Sequence, residues 1–308
     1  KRYEGAYGQN GFHLDFSDTT STTTVGHDKS GNGNHFTLND LGTEDALLDT
    51  PTNNFATLVM QGTGFSSGAG FNEGNRKFTT GSSGSARNLD RQATSSYTFN
   101  KGKWYAEFRC DAGNYANKFL GVGPWQLMIN PESNNNRYVY IYSDDGHKYV
   151  NTNGSEVNSD HAASFTNGDI IGIFIDMDAS TPVVYFSKNG VWANGTNAWD
   201  QANPTSGIEL GNSFFTQDID RNLIGYCGFI LSSGSGGLSM VYVANFGQDS
   251  TFAGSTTAGG FKDSTGIGDF KYAVPSGALA LCSKNLIRLN KERGTACKII
   301  NPKRHFDV

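Results

Sequence analysis

The chain has 308 residues, long enough to bury one substantial core or two small ones. Glycine, at 39 residues, is nearly double the ~7% typical of globular proteins, and charged residues, at 17%, fall below the ~25% norm, so short strands and many turns are expected rather than a helical fold. A net charge of −5 argues against nucleic acid as the main partner, since phosphate binding needs clustered cations, and no run approaches the ~20 apolar residues of a bilayer-spanning helix.

In chain order, a region of different texture begins with Gly11-Phe12-His13-Leu14-Asp15-Phe16 and continues through the oxygen-rich turn Asp28-Lys29-Ser30-Gly31-Asn32-Gly33-Asn34 into His35 to Leu38. Residues 62–87 are rich in Gly, Ser and Asn. Trp104 to Cys110 alternates, with Trp104, Phe108 and Cys110 on one face and Tyr105, Glu107 and Arg109 on the other, the period-2 pattern of a half-buried strand. Ile170 to Met177 is almost wholly apolar and is expected to be covered on both faces. Phe186 to Val191 reads as strand, tight turn, strand, because Asn189-Gly190 tolerates the positive φ angles of a two-residue hairpin. No stretch keeps a 3.6-residue apolar period beyond about three turns. All-β is therefore the expected class.

The last 25 residues carry seven basic side chains (Lys284, Arg288, Lys291, Arg293, Lys298, Lys303, Arg304) against Glu292 and Asp307, a net +5 that leaves −10 for residues 1–283. Such a tail reads as a solvated linker or as a docking arm for an acidic surface. The abrupt beginning at Lys1 and ending at Val308 give the expectation of a piece of a longer chain. Cys110, Cys227, Cys282 and Cys297 form no C-x-x-C pair, and the first two lie in apolar strands, so buried thiols are expected rather than a disulfide framework.

Four separated pieces fall in the order and spacing of a SPRY-type β-sandwich: Lys103 to Phe108, Leu120 to Gly123, Asp145 to Tyr149, and Gly168 through Gly190. The chain resembles that family over this block. Gly11 to Phe16 and His27 to Leu38 resemble the first two strands of laminin-G-like, concanavalin-type jelly rolls, which implies an opening strand, a Ser-Gly-Asn-Gly-Asn turn and a second strand there. The combined pattern, with Asp49 to Leu58, Ala280 to Leu286 and Asn301 to Phe306, is similar to SPRY-containing tail and fibre proteins of bacteriophages. The resemblance implies one antiparallel β-sandwich (jelly roll, concanavalin A-like) over residues 10–286, a linker at 1–9 and a basic linker at 287–308. Residues 62–87 and 197–221 stand as insertions. It further implies a non-enzymatic virion structural protein, assembled in the host cytoplasm, that recognises a host-surface receptor or glycan. Sibling virion subunits and a homo-oligomer are the implied partners. A purely architectural module and a cellular SPRY interaction module are the alternatives.

The residues give little support to catalytic chemistry. Glycan hydrolysis needs two carboxylates facing a cleft. Asp176 and Asp178 share a strand face, but they read first as turn caps. No P-loop, dinucleotide fingerprint or triad order is present. Asn153-Gly154-Ser155 and Asn194-Gly195-Thr196 match the glycosylation pattern and read as turns. Asp28, Asn32 and Asn34 read first as plain turn chemistry; the alternative is a calcium site, for which they would offer hard oxygen ligands.

The resemblance places ligand contacts on loops at one end of the sandwich, residues 124–137, 143–149 and 189–199. The candidates there are Trp125, Arg137, Tyr142, His147, Trp192 and Trp199. Rim aromatics suit a sugar ring or a protein hot spot. Tyr138, Tyr140 and Tyr142 alternate along a strand, and packing between layers is the competing reading.

Overall fold

The computed structural model describes residues 5–16, 21, 24–39, 47–50, 52–60, 68–81, 92–113, 118–124, 137–151, 155–211, 227–233 and 239–293. Among them the elements in chain order are β1 (Leu58–Met60), β2 (Gly70–Asn72), β3 (Lys77–Thr79), β4 (Gln92–Ser95), β5 (Lys103–Ala112), β6 (Lys118–Pro124), β7 (Tyr138–Tyr142), β8 (Lys148–Asn151) and β9 (Glu156–Ser159). They continue with β10 (Ile170–Asp176), β11 (Val183–Lys188), β12 (Val191–Ala193), β13 (Trp199–Gln201), β14 (Ile208–Glu209), β15 (Cys227–Ser233), β16 (Val241–Asn245), β17 (Leu279–Ala280) and a helix, α1 (Ser283–Arg293).

The strands form two sheets. One runs β1-β4-β15-β6-β7-β8-β9; the other runs β13-β12-β11-β10-β5-β16-β3-β2, with β14 on β11 and β17 on β5. Pairing is antiparallel except where β17 lies parallel to Trp104 and Tyr105. The chain is thus an all-β antiparallel sandwich, as expected.

The main core lies between the sheets. Trp104, Ala106 and Phe108 of β5 and Ile171, Ile173 and Ile175 of β10 pack with Leu120, Val122, Val139, Ile141, Phe229 and Leu231. Register explains the match, since Trp104, Ala106 and Phe108 pair directly with Ile175, Ile173 and Ile171. β10 is buried on both faces apart from Asp176, which is half-buried. The β11–β12 turn forms where Asn189 (φ 51°) and Gly190 (φ 83°) take left-handed angles. Cys110, Cys227 and Cys282 are free and buried, and burial pushes the Cys110 thiol up to about 12. Cys297 lies outside the described residues.

Four expectations give way. The face of β5 bearing Tyr105 and Glu107 is buried, because Phe270, Ala278, Ala280 and Cys282 fold over it in a second cluster with Phe174 and Trp192. The stretch 62–87 is not wholly an insertion: residues 68–81 contain the β2–β3 hairpin, whose Phe78 is fully buried. Likewise β13 and β14 fall inside 197–221, with Ile208 and Leu210 in the core. The two strands expected near residues 11–16 and 35–38 do not form, and Phe12, Phe16 and Phe36 are exposed.

α1 straddles the expected boundary at residue 286. Leu286 and Leu289, three apart on one helical face, are both buried in the main core. The Ser283 hydroxyl accepts the Asn54 N–H, fastening the helix start to the segment before β1.

Candidate functional site

The loops that leave β7 and β11–β12, from different sheets, are tied to a single segment, residues 160–165. On the first side, Tyr142 ends β7 and the chain turns through Ser143 to Gly146. The Gly146 N–H donates to the Tyr142 carbonyl, and the Tyr142 N–H to the His147 carbonyl. Gly146 is required here: its φ is 74°, and a Cβ would come within 2.2 Å of the Ala162 carbonyl oxygen. The Ala162 N–H reaches the Gly146 carbonyl at 3.0 Å, and the Phe165 N–H reaches that of Ser143 at 3.0 Å.

On the second side, the Gly195 N–H donates to the His161 carbonyl at 3.0 Å. The Trp199 indole Nε1–H donates to the Ala163 carbonyl at 2.7 Å, and Lys188 Nζ donates to that of Ser164 at 3.1 Å. Lys188 Nζ also lies 5.9 Å from the Trp199 ring, within cation–π range. The turn between them is self-capped: Asn194 Oδ1 accepts N–H bonds from Thr196, Asn197 and Ala198.

Side chains complete the rim. His147 sets Nε2 2.8 Å from Asp160 Oδ1 and Nδ1 3.3 Å from Asp145 Oδ2. Tyr142 stacks on Phe119 at 4.3 Å and meets Tyr149 edge-on at 5.4 Å. Beneath them His161 is 1% exposed, and neither ring nitrogen has a partner among the described residues. Burial, reinforced by Lys148, pushes its imidazole down to about 4, so it is neutral at pH 7.

Of the expected contacts, Tyr142, His147 and Trp199 therefore all lie on elements tied to residues 160–165, the first two from one sheet and Trp199 from the other. Trp192 does not join them: at 5% exposed it packs against Tyr105 and Phe174 on the covered outer face of the second sheet. Its pairing with Ser187 directs it to that layer rather than to the rim. Arg137 is 2% exposed and precedes β7, five residues and roughly 17 Å along the strand from Tyr142. Trp125 lies outside the described residues. Sequence reasoning missed Asp160 to Phe165, which act largely through backbone groups that carry no side-chain signal.

Asp28, Asn32 and Asn34 are also brought together, as a clasp. Asp28 Oδ1 accepts the N–H groups of His13 and Ser30, and Oδ2 accepts the Ser30 hydroxyl and the Asn34 N–H. Burial would raise its pKa, but these donors outweigh it and hold the carboxyl well below the usual range. The Asn32 amide donates to the carbonyls of Gly8 and Gly11, and the Asn34 amide to those of Gln9 and Gly11. With the carboxylate committed to N–H and O–H donors and the amides acting as donors, the set fits turn chemistry rather than the calcium alternative. Among the described residues no group of three or more His, Cys, Asp or Glu is placed to hold a metal.

Asp176 and Asp178 are likewise engaged. Asp176 Oδ1 caps the N–H groups of Asp178 and Ala179, and its carboxylate pairs with Lys103 at 2.7 Å. Asp178 Oδ1 accepts the Gly102 N–H.

No protein-family model matches the sequence, and no curated protein matches it. Among solved structures the chain is similar to a human SPRY domain, with 16% identity and a TM-score of 0.34 over 55% of this chain and 90% of that one. It is also similar to the SPRY domain of human HERC1, with 16% identity and a TM-score of 0.35 over 57% of this chain and 91% of that one.

Proposed function

We propose that this protein is a non-catalytic recognition module, a virion structural protein of the phage tail or fibre type whose rim binds a host-surface glycan or protein receptor. The observation that carries the reading is the convergence of loops from both sheets on residues 160–165, with Tyr142, His147 and Trp199 half-buried on the elements tied to that segment. Half-buried aromatics on a rigid support suit stacking on a sugar ring or a hot-spot contact, because little ordering remains to be done on binding. A non-catalytic role agrees with Asp176 and Asp178 being occupied as turn caps. The test is binding of clustered, fluorescently labelled protein to host cells and a polysaccharide panel. Saturable binding lost in Trp199→Ala and His147→Ala, with folding intact, supports the reading; binding unchanged in both variants refutes it.

A second reading, subunit packing within the virion, is favoured by one feature. Phe12, Phe16 and Phe36 are 50%, 56% and 45% exposed, and the Phe12 and Phe36 rings meet edge-on at 4.8 Å. Exposed aromatics of this kind suit burial against a sibling copy. Retention of particle assembly after Phe12→Ser and Phe36→Ser would count against it.

A further inference from the structure

A cavity of about 360 Å³ lies between α1 and the turn at residues 263–267, lined by Thr265, Ile267, Lys284, Asn285, Ile287 and Arg288. Its volume is at the lower end for small-ligand sites. Lys284, Ile287 and Arg288 stand at i, i+3 and i+4 and so share one face of the helix.

Three features of this face are left open among the described residues. Lys284 is exposed and Arg288 half-buried, and neither forms an ion pair among the described residues, although like charges one turn apart repel. Arg288 Nε is buried and has no acceptor among the described residues. Ile287, between the two cations, is 52% exposed, while Leu286 and Leu289 are in the core. The opposite wall does not supply the missing negative charge. Asp263 directs Oδ1 to the N–H groups of Thr265 and Ile267 and to the Thr265 hydroxyl, and Oδ2 to the Ala280 N–H and the Asn285 amide. The Asn285 amide donates to Asp263 Oδ2 and the Ala280 carbonyl, so that wall is closed as well. Asp178, which lines a smaller cavity of about 180 Å³ with Arg288, gives Oδ1 to Gly102.

We infer that this groove is a binding site for an amphipathic carboxylate, with the aliphatic part against Ile267 and Ile287 and the carboxylate between Lys284 and Arg288. The pairing satisfies both cations with charge-assisted hydrogen bonds and covers the exposed isoleucine in one event. A neutral molecule of the same shape gains only the second term. The site is built from residues other than those of the rim, so its test does not depend on the rim's function.

The experiment is a titration of the whole chain, carrying labelled isoleucine methyls, with hexanoate and, separately, hexanol. Saturable shifts of the Ile267 and Ile287 methyls with hexanoate are expected. Affinity should fall at least roughly tenfold in Lys284→Gln/Arg288→Gln, the minimum that loss of one charge-assisted bond implies. Equal binding of hexanol, undiminished hexanoate binding in the double variant, or no saturable shift would overturn the assignment. Both substituted positions face solvent or the groove, and an unchanged melting temperature checks that the variant folds. A parallel titration with N-acetyl-Gly-Gly-Leu separates two sources of the same chemistry. Tighter binding than hexanoate supports the site as a receptor for a peptide C-terminus, and weaker binding supports it as one for a free aliphatic acid.

Discussion

The Glu107 carboxylate, fully buried on β5, accepts the backbone N–H of Tyr272 at 2.9 Å on Oε1, more than 160 positions away in the chain. Oε2 takes the Lys271 N–H at 2.8 Å and the Asn245 amide at 3.2 Å, and the Tyr105 hydroxyl donates to Oε1 at 3.1 Å. One acid thereby fastens the covering segment to the sheet. Gly172, directly opposite on β10, leaves it room: a Cβ there would lie 2.7 Å from the Tyr105 hydroxyl and 2.4 Å from Ser187 Oγ.

A pH signature follows from this burial. Desolvation pushes the Glu107 pKa up from 4.5 to about 7 despite the four donors. A folded-state pKa above the unfolded one means that the contribution to stability is fully present below about pH 4.5. It is lost as pH rises through 7. The loss across this window is roughly 3 kcal/mol. Glu107→Gln removes the titration but turns an amide NH₂ toward buried donors, at a cost of roughly 1–3 kcal/mol. Urea denaturation at several pH values should show the variant's deficit largest near pH 4.5 and shrinking toward pH 8. A deficit that stays constant would contradict the assignment.

The two tryptophans of the β12–β13 region should separate cleanly. Trp192→Ala opens a cavity in the layer with Tyr105 and Phe174 and should cost about 3–5 kcal/mol. Trp199→Ala loses a partly exposed ring and its bond to Ala163, and should cost roughly 1–2 kcal/mol. Denaturant midpoints measure both. The reverse order of costs would mean that Trp192 is not a core residue.

The elements legible in the sequence were those set by neighbouring residues. The unbroken apolar run of β10 and the Asn189-Gly190 turn needed nothing remote to specify them. Tyr105, Glu107 and Trp192 were misplaced for the opposite reason. Strand alternation assigns faces but not what covers them, and the cover comes from residues 267–282, far along the chain. Phe78 was hidden in a Gly- and Ser-rich setting that reads as loop, though its strand pairs with β16. At the rim, the resemblance selected Tyr142, His147 and Trp199, whereas the supporting segment 160–165 works through carbonyls and amides, which any residue supplies.

Gly190→Ala tests the hairpin. An L-residue at φ 83° costs about 1–2 kcal/mol, and the added Cβ would meet Tyr272 Cδ1 at 2.7 Å. Because Tyr272 belongs to the segment fastened by Glu107, the variant should also speed amide exchange at Lys271 and Tyr272. Loss of stability without that change would show that the ring moves aside freely.

The buried pair of Arg76 and Asp249, 2.8 Å apart, should respond asymmetrically to removal of either partner. Asp249 also accepts the N–H and hydroxyl of Thr251 and the N–H of Ala253, whereas Arg76 Nε has no partner among the described residues. Asp249→Asn leaves a buried guanidinium without its counter-charge and should cost about 3–5 kcal/mol. Arg76→Met leaves a carboxylate still held by three donors and should cost less. Burial alone would raise the Asp249 pKa, but the donors from Thr251, Ala253 and Arg76 outweigh it, so the folded value lies below 3.8. Its contribution is therefore present above about pH 3.8 and is lost as pH falls through the lower folded value. Acid denaturation of Arg76→Met should begin at higher pH than that of the wild type, because one of the groups lowering the Asp249 pKa is gone. An acid midpoint identical to the wild type's would mean that Arg76 contributes nothing to holding that charge.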